Sequence, residues 1–376
     1  MSGRISEITG LRCLAVMMVV LGHAMHSLEG GYSGWLYPLS FFSNGSQGVL
    51  IFFVLSGFLI TTILQAEFKK HGRIDLLDFY ARRSIRIWPA FYFYILVIFI
   101  LSISGFLKVG PQQFAAAALH IWNYAEAIGL VSDSSIYPDG AWYLGHLWSL
   151  SLEEQFYWVW PPLLIFTLCS KNKNLLLAII VLIPIIRIFT YFTAPSMRGQ
   201  LGMMLHTGVD PILIGCYAAL IQERVKALLI RSRFSGALVT TAFIVLFLAC
   251  PKLAEYFKGG WTATFGKTIE ATLAAIIIIA ISCMKDFWLS RLLRAKIPVF
   301  IGTISFSLYL WQQLFTGSSF IWALEFPFNI AQAIAAAALS YWLIEKPFFA
   351  LKKKFKPQED KNEHTFKPID TSDASK

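Results

Sequence analysis

The sequence predicts an all-α integral membrane protein with about ten transmembrane helices and both termini in the cytoplasm. Three observations lead to this fold class. The chain of 376 residues is 56% hydrophobic and only 14% charged, long apolar segments follow one another along it, and basic residues are concentrated in alternate loops. A soluble domain of this length needs more charged surface, so the composition excludes an ordinary soluble enzyme.

The apolar segments supply the predicted spans. A helix needs roughly 20 mostly apolar residues to cross a hydrocarbon core about 30 Å thick. The segments that meet this requirement are approximately 8–27, 48–66, 88–106, 150–169, 174–193, 205–222, 235–251, 264–284, 298–317 and 327–346. The weakest is 205–222, because it contains His206 and Asp210. The segment 113–130 is short and includes His120 and Glu126, so we expect it to be re-entrant or interfacial.

Loop charges test the number of crossings, because cytoplasmic loops of membrane proteins are rich in Lys and Arg. Clusters of basic residues follow the second, sixth, eighth and tenth predicted spans, whereas 28–47 and 318–326 contain none and 107–149 contains only Lys108. A crossing at 113–130 would invert every later loop and is therefore rejected. The alternation places both termini in the cytoplasm, and it explains the net charge of +10 without a nucleic-acid partner.

Domain organisation follows from the same pattern. Residues 1–350 are predicted to form one transmembrane domain, and the polar segment 351–376 is predicted to be a disordered cytoplasmic tail. The five cysteines fall mostly inside apolar segments, so neither a disulfide framework nor a metal site is predicted. The first apolar stretch contains Arg12 and His23 and has no convincing small-residue cleavage site, so it is not predicted to be a cleaved signal.

Arg12 and His23 are ionisable residues within the first span, GLRCLAVMMVVLGH. Eleven residues at 100° each come within about 20° of three full turns, so both side chains project from one helix face with a rise of roughly 16 Å between them. Arg12 is predicted near the cytoplasmic boundary and His23 deeper, towards the outer half. The structural alternatives are that Arg12 is a snorkelling anchor and that His23 is a hydrogen-bonded packing residue. Ionisable groups inside a membrane are nevertheless functional by default.

Five further blocks stand out: GVLIFFVLSGFLIT (48–61), FYARRSIRIWPAFY (79–92), HLWSLSLEEQFYWVWP (146–161), IGTISFSLYLWQQ (301–313) and YWLIEKPF (341–348). Together with the Arg-(ten residues)-His spacing of Arg12 and His23, they resemble, in the same order, the acyltransferase 3 family of membrane-bound O-acyltransferases. The resemblance spans nearly the whole chain. One departure is visible, because the family often has His where this chain has Gln312, which cannot transfer a proton.

The resemblance implies transfer of an acyl group, commonly acetyl, from cytoplasmic acyl-CoA to a hydroxyl of an extracytoplasmic molecule. Arg83 and Arg86 match the family's cytoplasmic Arg-x-x-Arg block, and with Arg12 they are expected to bind acyl-CoA. Coenzyme A is a polyanion, and guanidinium groups offer fixed, paired donors to phosphate. Ordinary positive-inside topology is the alternative explanation, above all for the adjacent Arg82.

His23 and Glu153 are the predicted catalytic residues. An imidazole can act as a general base near neutral pH or as a transient acyl carrier, and the sequence leaves both roles open for His23. Glu153, the acidic residue of the block at 146–161, is predicted near the outer face at the depth of His23. There it could orient the imidazole or accept the hydroxyl proton. Its neighbour Glu154 is expected to be interfacial.

Further residues are expected to support the reaction. Ser56, Tyr309 and Glu345 lie in matching blocks, and pairing with an arginine is an equal alternative for Glu345. Arg187 and Asp210, in the fifth and sixth predicted spans, are expected to form a structural ion pair.

The outer segment 107–149 contains candidates for binding the acceptor. Its stretch YPDGAWYLGHLW (137–148) includes Asp139, His146 and Trp148. Aromatic planes combined with polar groups suit a sugar, although single aromatic residues are equally typical of interfacial belts.

The predicted function is that of a multi-pass O-acyltransferase in the cytoplasmic membrane of a bacterium, with acetyl-CoA as the expected donor and a cell-surface glycan as the acceptor. A lipid-linked sugar or a small natural product is the alternative acceptor. A secondary transporter or acyl-group translocase is the alternative class, with Arg12, His23 and Glu153 as a proton or substrate pathway. No covalently bound cofactor and no metal is predicted. The lipid bilayer, the donor and the acceptor are the expected partners.

Overall fold

The computed structural model describes residues 6–28, 30–131, 136–170, 173–317 and 320–351. Throughout these ranges the regular structure is helical and no strand occurs, which confirms the predicted all-α fold. The tail predicted at 351–376 lies outside the described residues, apart from Leu351.

The longer helices are labelled in chain order as α1 Ser6–Ala24, α2 Gly45–His71, α3 Leu76–Ile103, α4 Leu147–Ser170, α5 Asn174–Thr193, α6 Asp210–Arg231, α7 Ser235–Phe257, α8 Gly266–Cys283, α9 Lys296–Thr303, α10 Ser305–Thr316 and α11 Phe328–Leu351. Short helical segments connect them at Met25–Ser27, Gly34–Leu36, Tyr37–Ser40, Pro111–Ala118, Trp122–Tyr124, Pro138–Tyr143, Pro195–Gln200, Leu205–Gly208, Gly259–Ala263 and Trp288–Leu293. Each of the ten predicted spans therefore coincides with helical structure.

Membrane-spanning length and hydropathy are met by seven helices in the described part of the chain, namely α1, α2, α3, α5, α7, α8 and α11. The remaining predicted spans correspond to α4, to α6 and to the pair α9 and α10, which do not meet both criteria. The chain is thus a multi-pass membrane protein, while the total of about ten crossings and the cytoplasmic termini stay predictions.

The segment 113–130 does not cross the membrane. It holds the end of the eight-residue helix Pro111–Ala118, a left-handed residue at His120 with φ of 54°, and the short turn Trp122–Tyr124. Eight residues rise only about 12 Å, less than half of a hydrocarbon core. The prediction that this segment is not a full crossing is confirmed.

Close packing of α2 against α6 forms the centre of the bundle. A methyl group added at Gly57 of α2 would overlap the backbone of Ile212, and one added at Gly215 of α6 would overlap the backbone of Val54. Small residues let two helix backbones approach each other where lipid provides no hydrophobic drive for association. This pair is the frame against which α1 and α8 also pack.

Two irregularities in the C-terminal helices position polar groups. The predicted continuous span 298–317 is divided at Ile304, where φ is −91° and ψ is 7°, so that α10 starts afresh at Ser305. Helix α11 contains a π-helical turn at Tyr341–Glu345, a feature that recurs at functional sites. The break and the turn both lie beside the arginine-lined cavity described next.

Candidate active site

Two cavities enter the helix bundle from opposite helix ends. The histidine cavity has a volume of 730 Å³ and is lined at His23, Gly45, His146, Lys267 and Gln313. These residues lie at the end of α1, the start of α2, just before α4, the start of α8 and near the end of α10. With the orientation predicted from loop charges, this is the outer side.

The arginine cavity lies towards the other ends of α1, α3 and α11 and has a volume of 120 Å³. Its charged lining residues are Arg12, Arg83, Arg86, Glu153 and Glu345. Three guanidinium groups against two carboxylates leave a formal charge of +1. The candidate residues for acyl-CoA binding therefore share one cavity, together with Ser56.

The two cavities meet at three shared lining residues, Val49, Phe53 and Tyr309. The Tyr309 hydroxyl lies 2.5 Å from Ser149 Oγ and donates to the His146 carbonyl oxygen at 2.9 Å. Tyr309 is only 6% exposed, so these bonds fix a phenol ring between the two cavities. The ring therefore lies between the positions of a ligand in the histidine cavity and a ligand in the arginine cavity.

His23 is oriented by an amide. Its Nδ1 lies 2.9 Å from Gln312 Oε1, and because that oxygen only accepts hydrogen bonds, the ring proton belongs on Nδ1. The other ring nitrogen, Nε2, is then the basic one. The indole of Trp142 packs edge-on against the imidazole with ring centroids 5.5 Å apart. Gln312 therefore orients the His23 ring but cannot exchange a proton with it.

The predicted placement of Glu153 beside His23 is wrong. Glu153 lies in the arginine cavity, where it accepts hydrogen bonds from Ser56 at 3.0 Å and Tyr157 at 2.9 Å and pairs with Arg83 at 3.4 Å. The physical reason is depth, because Glu153 lies six residues into α4 and therefore about 9 Å from the start of the helix. It belongs to the arginine cavity and not to the histidine cavity.

Arg83 is held by more than its ion pair with Glu153. Its guanidinium lies 3.6 Å from the centre of the Tyr157 ring and 4.0 Å from the carboxylate of Glu154. Glu154, expected at the interface, is buried and accepts a hydrogen bond from Trp88 Nε1 at 3.4 Å. That expectation is wrong, since Arg83 and Trp88 of α3 draw Glu154 into the protein.

Glu345 joins α10 and α11 to the arginines. Its carboxylate accepts a hydrogen bond from Ser307 at 2.5 Å, and Ser307 contacts Ser340 at 3.0 Å. Arg12 and Arg86 both interact electrostatically with Glu345. The structure therefore supports the arginine-pairing alternative for Glu345 and connects four helices, α1, α3, α10 and α11, at one end of the site.

His146 is the most unusual group in the histidine cavity. Its side chain is only 4% exposed, and among the described residues neither ring nitrogen makes a hydrogen bond of ordinary geometry, although the Gln313 side chain and the Leu310 backbone lie close to the ring. The ring packs edge-on against Tyr94 and Tyr309, with centroid distances of 5.4 and 5.5 Å. Because buried polar groups are normally paired, a ligand in the cavity is the natural partner of this imidazole.

The two other acceptor-side candidates differ in position. Trp148 lines the histidine cavity and packs edge-on against Phe53 at 5.9 Å. Asp139 is not among the lining residues; its carboxylate accepts a hydrogen bond from the backbone of Lys108 at 2.8 Å and so fixes the outer segment. The structure brings Trp148 and His146 to the site but not Asp139.

Other polar contacts near the histidine cavity were not singled out from the sequence. Trp142 donates through Nε1 to the Gln313 carbonyl at 2.9 Å, and Gln313 Oε1 accepts from the His146 backbone at 3.3 Å. Lys267 is an ionisable residue within a predicted span, a signal that would have identified it.

The ion pair predicted between Arg187 and Asp210 is confirmed. Both side chains are fully buried and directly paired, and Asp210 also accepts from Thr268 at 2.7 Å. Arg187 further donates to backbone carbonyls of Thr207 and Thr264. Such complete pairing identifies a structural cross-link between α5 and α6.

Comparison with known proteins gives one family and several relatives. A family model described as an acyltransferase domain matches residues 5–344. The peptidoglycan O-acetyltransferase OatA of Listeria monocytogenes is 29% identical over 373 residues, covering 92% of this chain and 54% of that protein. The O-acetyltransferase OatA of Staphylococcus aureus is 28% identical, covering 92% and 57%. The putative peptidoglycan O-acetyltransferase YrhL of Bacillus subtilis is 27% identical, covering 91% and 54%.

The coverages show that the similarity includes most of this chain but only part of each relative. The chain spans about half the length of the curated relatives it matches. No solved structure matches it.

Proposed function

This chain belongs to the acyltransferase 3 family, and on that basis we propose that it is a membrane O-acetyltransferase that acts on a cell-wall glycan. The acetyl group comes from acetyl-CoA on the cytoplasmic side, and the acceptor is a glycan hydroxyl on the outer side of the cytoplasmic membrane. The names of the relatives, which are peptidoglycan O-acetyltransferases, support this choice of acceptor.

The observation that carries the proposal is the meeting of two chemically different cavities at Tyr309. One is narrow and lined by arginines, as suits an anionic donor. The other is six times larger, within the 300–1,000 Å³ range of small-molecule sites, and contains two histidines and aromatic rings, as suits a sugar. Two substrates that arrive from opposite sides need this arrangement, whereas an enzyme with both substrates on one side does not.

On the donor side, the volume of 120 Å³ is too small for a nucleotide, so we assign to it only the thioester end of the acylated pantetheine arm. The phosphates of coenzyme A would then remain near the mouth of the arginine cavity, where the guanidinium groups of Arg83 and Arg86 provide donors. Because Arg83 is already paired with Glu153 at 3.4 Å, we assign it to holding the cavity walls as much as to binding phosphate.

On the acceptor side, His23 is placed to move a proton. Gln312 keeps the ring proton on Nδ1, so Nε2 of His23 removes the proton of the acceptor hydroxyl. At the same time the hydroxyl oxygen bonds to the carbonyl carbon of the thioester. The tetrahedral intermediate expels the thiolate of coenzyme A, which recovers the proton from His23. An acyl-imidazole on His23 is the other route, and an acetylated enzyme recovered after a rapid quench with donor alone would identify it.

The test uses the purified full chain with isotopically labelled acetyl-CoA and a soluble peptidoglycan oligosaccharide, with acetyl ester on the glycan as the readout. We expect His23→Ala to reduce transfer by about 10²- to 10⁴-fold and Arg83→Ala to raise the KM for acetyl-CoA. His120→Ala and Arg291→Ala are the matched controls outside both cavities. Full activity of both site variants at normal expression would refute the assignment. Proton-coupled solute uptake without any acetyl transfer would favour a transporter.

A further inference from the structure

Lys267 is a cation at a part of the histidine cavity away from the predicted chemistry. It is the second residue of α8, and it lines the cavity beside Gly202, Gln200 and Arg198, whereas His23 lies on α1. An ammonium group in a membrane-spanning helix is costly unless something of opposite charge offsets it. The groups around Lys267 therefore decide whether its charge is already offset within the protein.

The nearby carboxylates are already engaged. Asp210 is paired with Arg187 and accepts from Thr268, and Glu270 accepts a hydrogen bond from Trp261 Nε1 at 2.7 Å. No ion pair within 4.0 Å joins Lys267 to any acidic group of the described residues. Its ammonium makes a long contact of 3.4 Å with the Gly202 carbonyl.

Gly202 leaves the space that the ammonium occupies. A methyl group added there would overlap Lys267 Nζ, so the absence of a side chain at this position allows the lysine to reach the cavity wall. The lysine is thus presented to the cavity rather than folded onto a protein carboxylate. Asp210 and Glu270 act on Lys267 only through longer-range electrostatics, and no ion pair joins them among the described residues. A ligand that carries a negative charge would therefore find an ammonium group without a direct ion-pair partner.

The charge of the cavity limits the kind of anion. Its formally charged lining residues are Lys267, Arg198 and Glu126, which sum to a formal charge of +1. Arg198 is exposed, donates to the Tyr191 carbonyl at 2.9 Å and lies 4.5 Å over the Tyr191 ring. One net positive charge matches a carboxylate and falls short of a diphosphate, which carries at least two negative charges.

We propose that Lys267 forms a carboxylate subsite, which binds an acidic group of the acceptor while the hydroxyl to be acetylated lies at His23. This inference rests on the proposed function, because it names the acceptor class of the same cavity as an acidic glycan. Lys267 is a specificity residue rather than a catalytic one. It contacts a part of the acceptor that does not react.

The experiment measures equilibrium binding to the purified full chain, so that it does not depend on catalysis. The probes are an N-acetylhexosamine disaccharide with one free carboxylate, the same disaccharide as its carboxamide, and a sugar diphosphate. We expect Lys267→Met to weaken binding of the carboxylate probe by roughly 10- to 100-fold and to leave the carboxamide probe unchanged. The matched control is Lys252→Met, since Lys252 is exposed in the same half of the protein and pairs with Glu255 at 2.8 Å.

The outcomes separate the inference from the proposed function. Equal loss of both disaccharides in a folded Lys267→Met protein, or no loss of either, would overturn the subsite. Tighter Lys267-dependent binding of the sugar diphosphate would overturn the choice of carboxylate. If Lys267→Met does not fold, Lys267→Gln gives the same comparison. Selective binding without acetyl transfer would refute the proposed function while supporting the subsite.

Discussion

His23 Nδ1 lies 2.9 Å from Gln312 Oε1, a contact between residues that are 289 positions apart in the chain. The amide is completely buried, whereas the imidazole faces the histidine cavity. With its oxygen facing the ring, Gln312 accepts a hydrogen bond from the Nδ1–H tautomer of His23, which leaves Nε2 for chemistry.

Gln312→Ala should lower kcat for acetyl transfer by roughly 10- to 100-fold with little change in either KM, as when the partner that orients a functional histidine is lost. The control is Gln222→Ala, which removes a hydrogen bond to Lys226 outside both cavities. A variant that folds normally and retains its full kcat would show that the contact is only structural.

His146→Gln should raise the KM for the glycan by about tenfold and leave the KM for acetyl-CoA unchanged. The reason is that the substitution removes or displaces a ring nitrogen that would form a hydrogen bond with the glycan. His120→Gln is a close control. The His120 ring is also packed against an aromatic ring, that of Phe91 at 4.3 Å, and its Nε2 also lacks a partner among the described residues, but it lines neither cavity. Equal effects of the two substitutions would contradict a ligand contact at His146.

Tyr309→Phe should reduce acetyl transfer by about tenfold, since it removes the hydroxyl bonded to Ser149 and keeps the ring between the cavities. Tyr94→Phe is matched in chemistry, as the Tyr94 hydroxyl donates to the Tyr143 carbonyl at 2.7 Å away from both cavities. Steady-state rates and thermal unfolding of both variants should be compared. The idea fails if Tyr94→Phe loses as much activity as Tyr309→Phe.

The pair of Arg83 and Glu153 should behave as one unit. In a double-mutant cycle with Arg83→Gln and Glu153→Gln, we expect a coupling energy of about 1–3 kcal/mol for unfolding, because the two side chains are largely buried at 3.4 Å. Arg83→Lys should not restore acetyl transfer, since lysine cannot keep both the ion pair and the stacking on Tyr157. Additive single effects would mean that the two residues act independently.

The sequence predicted the fold class well, because hydropathy and loop charge act locally along the chain. It also predicted the ion pair of Arg187 and Asp210, since buried charges inside spans require partners. The one-face relation of Arg12 and His23 follows from helical periodicity alone. In the structure Arg12 lines one cavity and His23 the other, so this helix face reaches both.

The contents of the site were less predictable, for two physical reasons. The depth of Glu153 depends on where α4 begins, and a start at Leu147 rather than at 150 moves the carboxylate about 4.5 Å along the helix axis. Contacts such as that between His23 and Gln312 depend on tertiary packing, for which one sequence carries no pattern. The break between α9 and α10 at Ile304 is likewise invisible in an apolar run.

The most direct test of the central claim is acetyl transfer across a sealed proteoliposome that contains the purified full chain in one orientation. Acetyl-CoA is supplied only to the side of the arginine cavity, and a peptidoglycan oligosaccharide only to the side of the histidine cavity. We expect acetylated glycan in this arrangement, no product when the two substrates are exchanged, and a loss of about 10²- to 10⁴-fold in His23→Ala. Equal transfer when both substrates are on one side of the membrane, or an active His23→Ala protein, would contradict that claim.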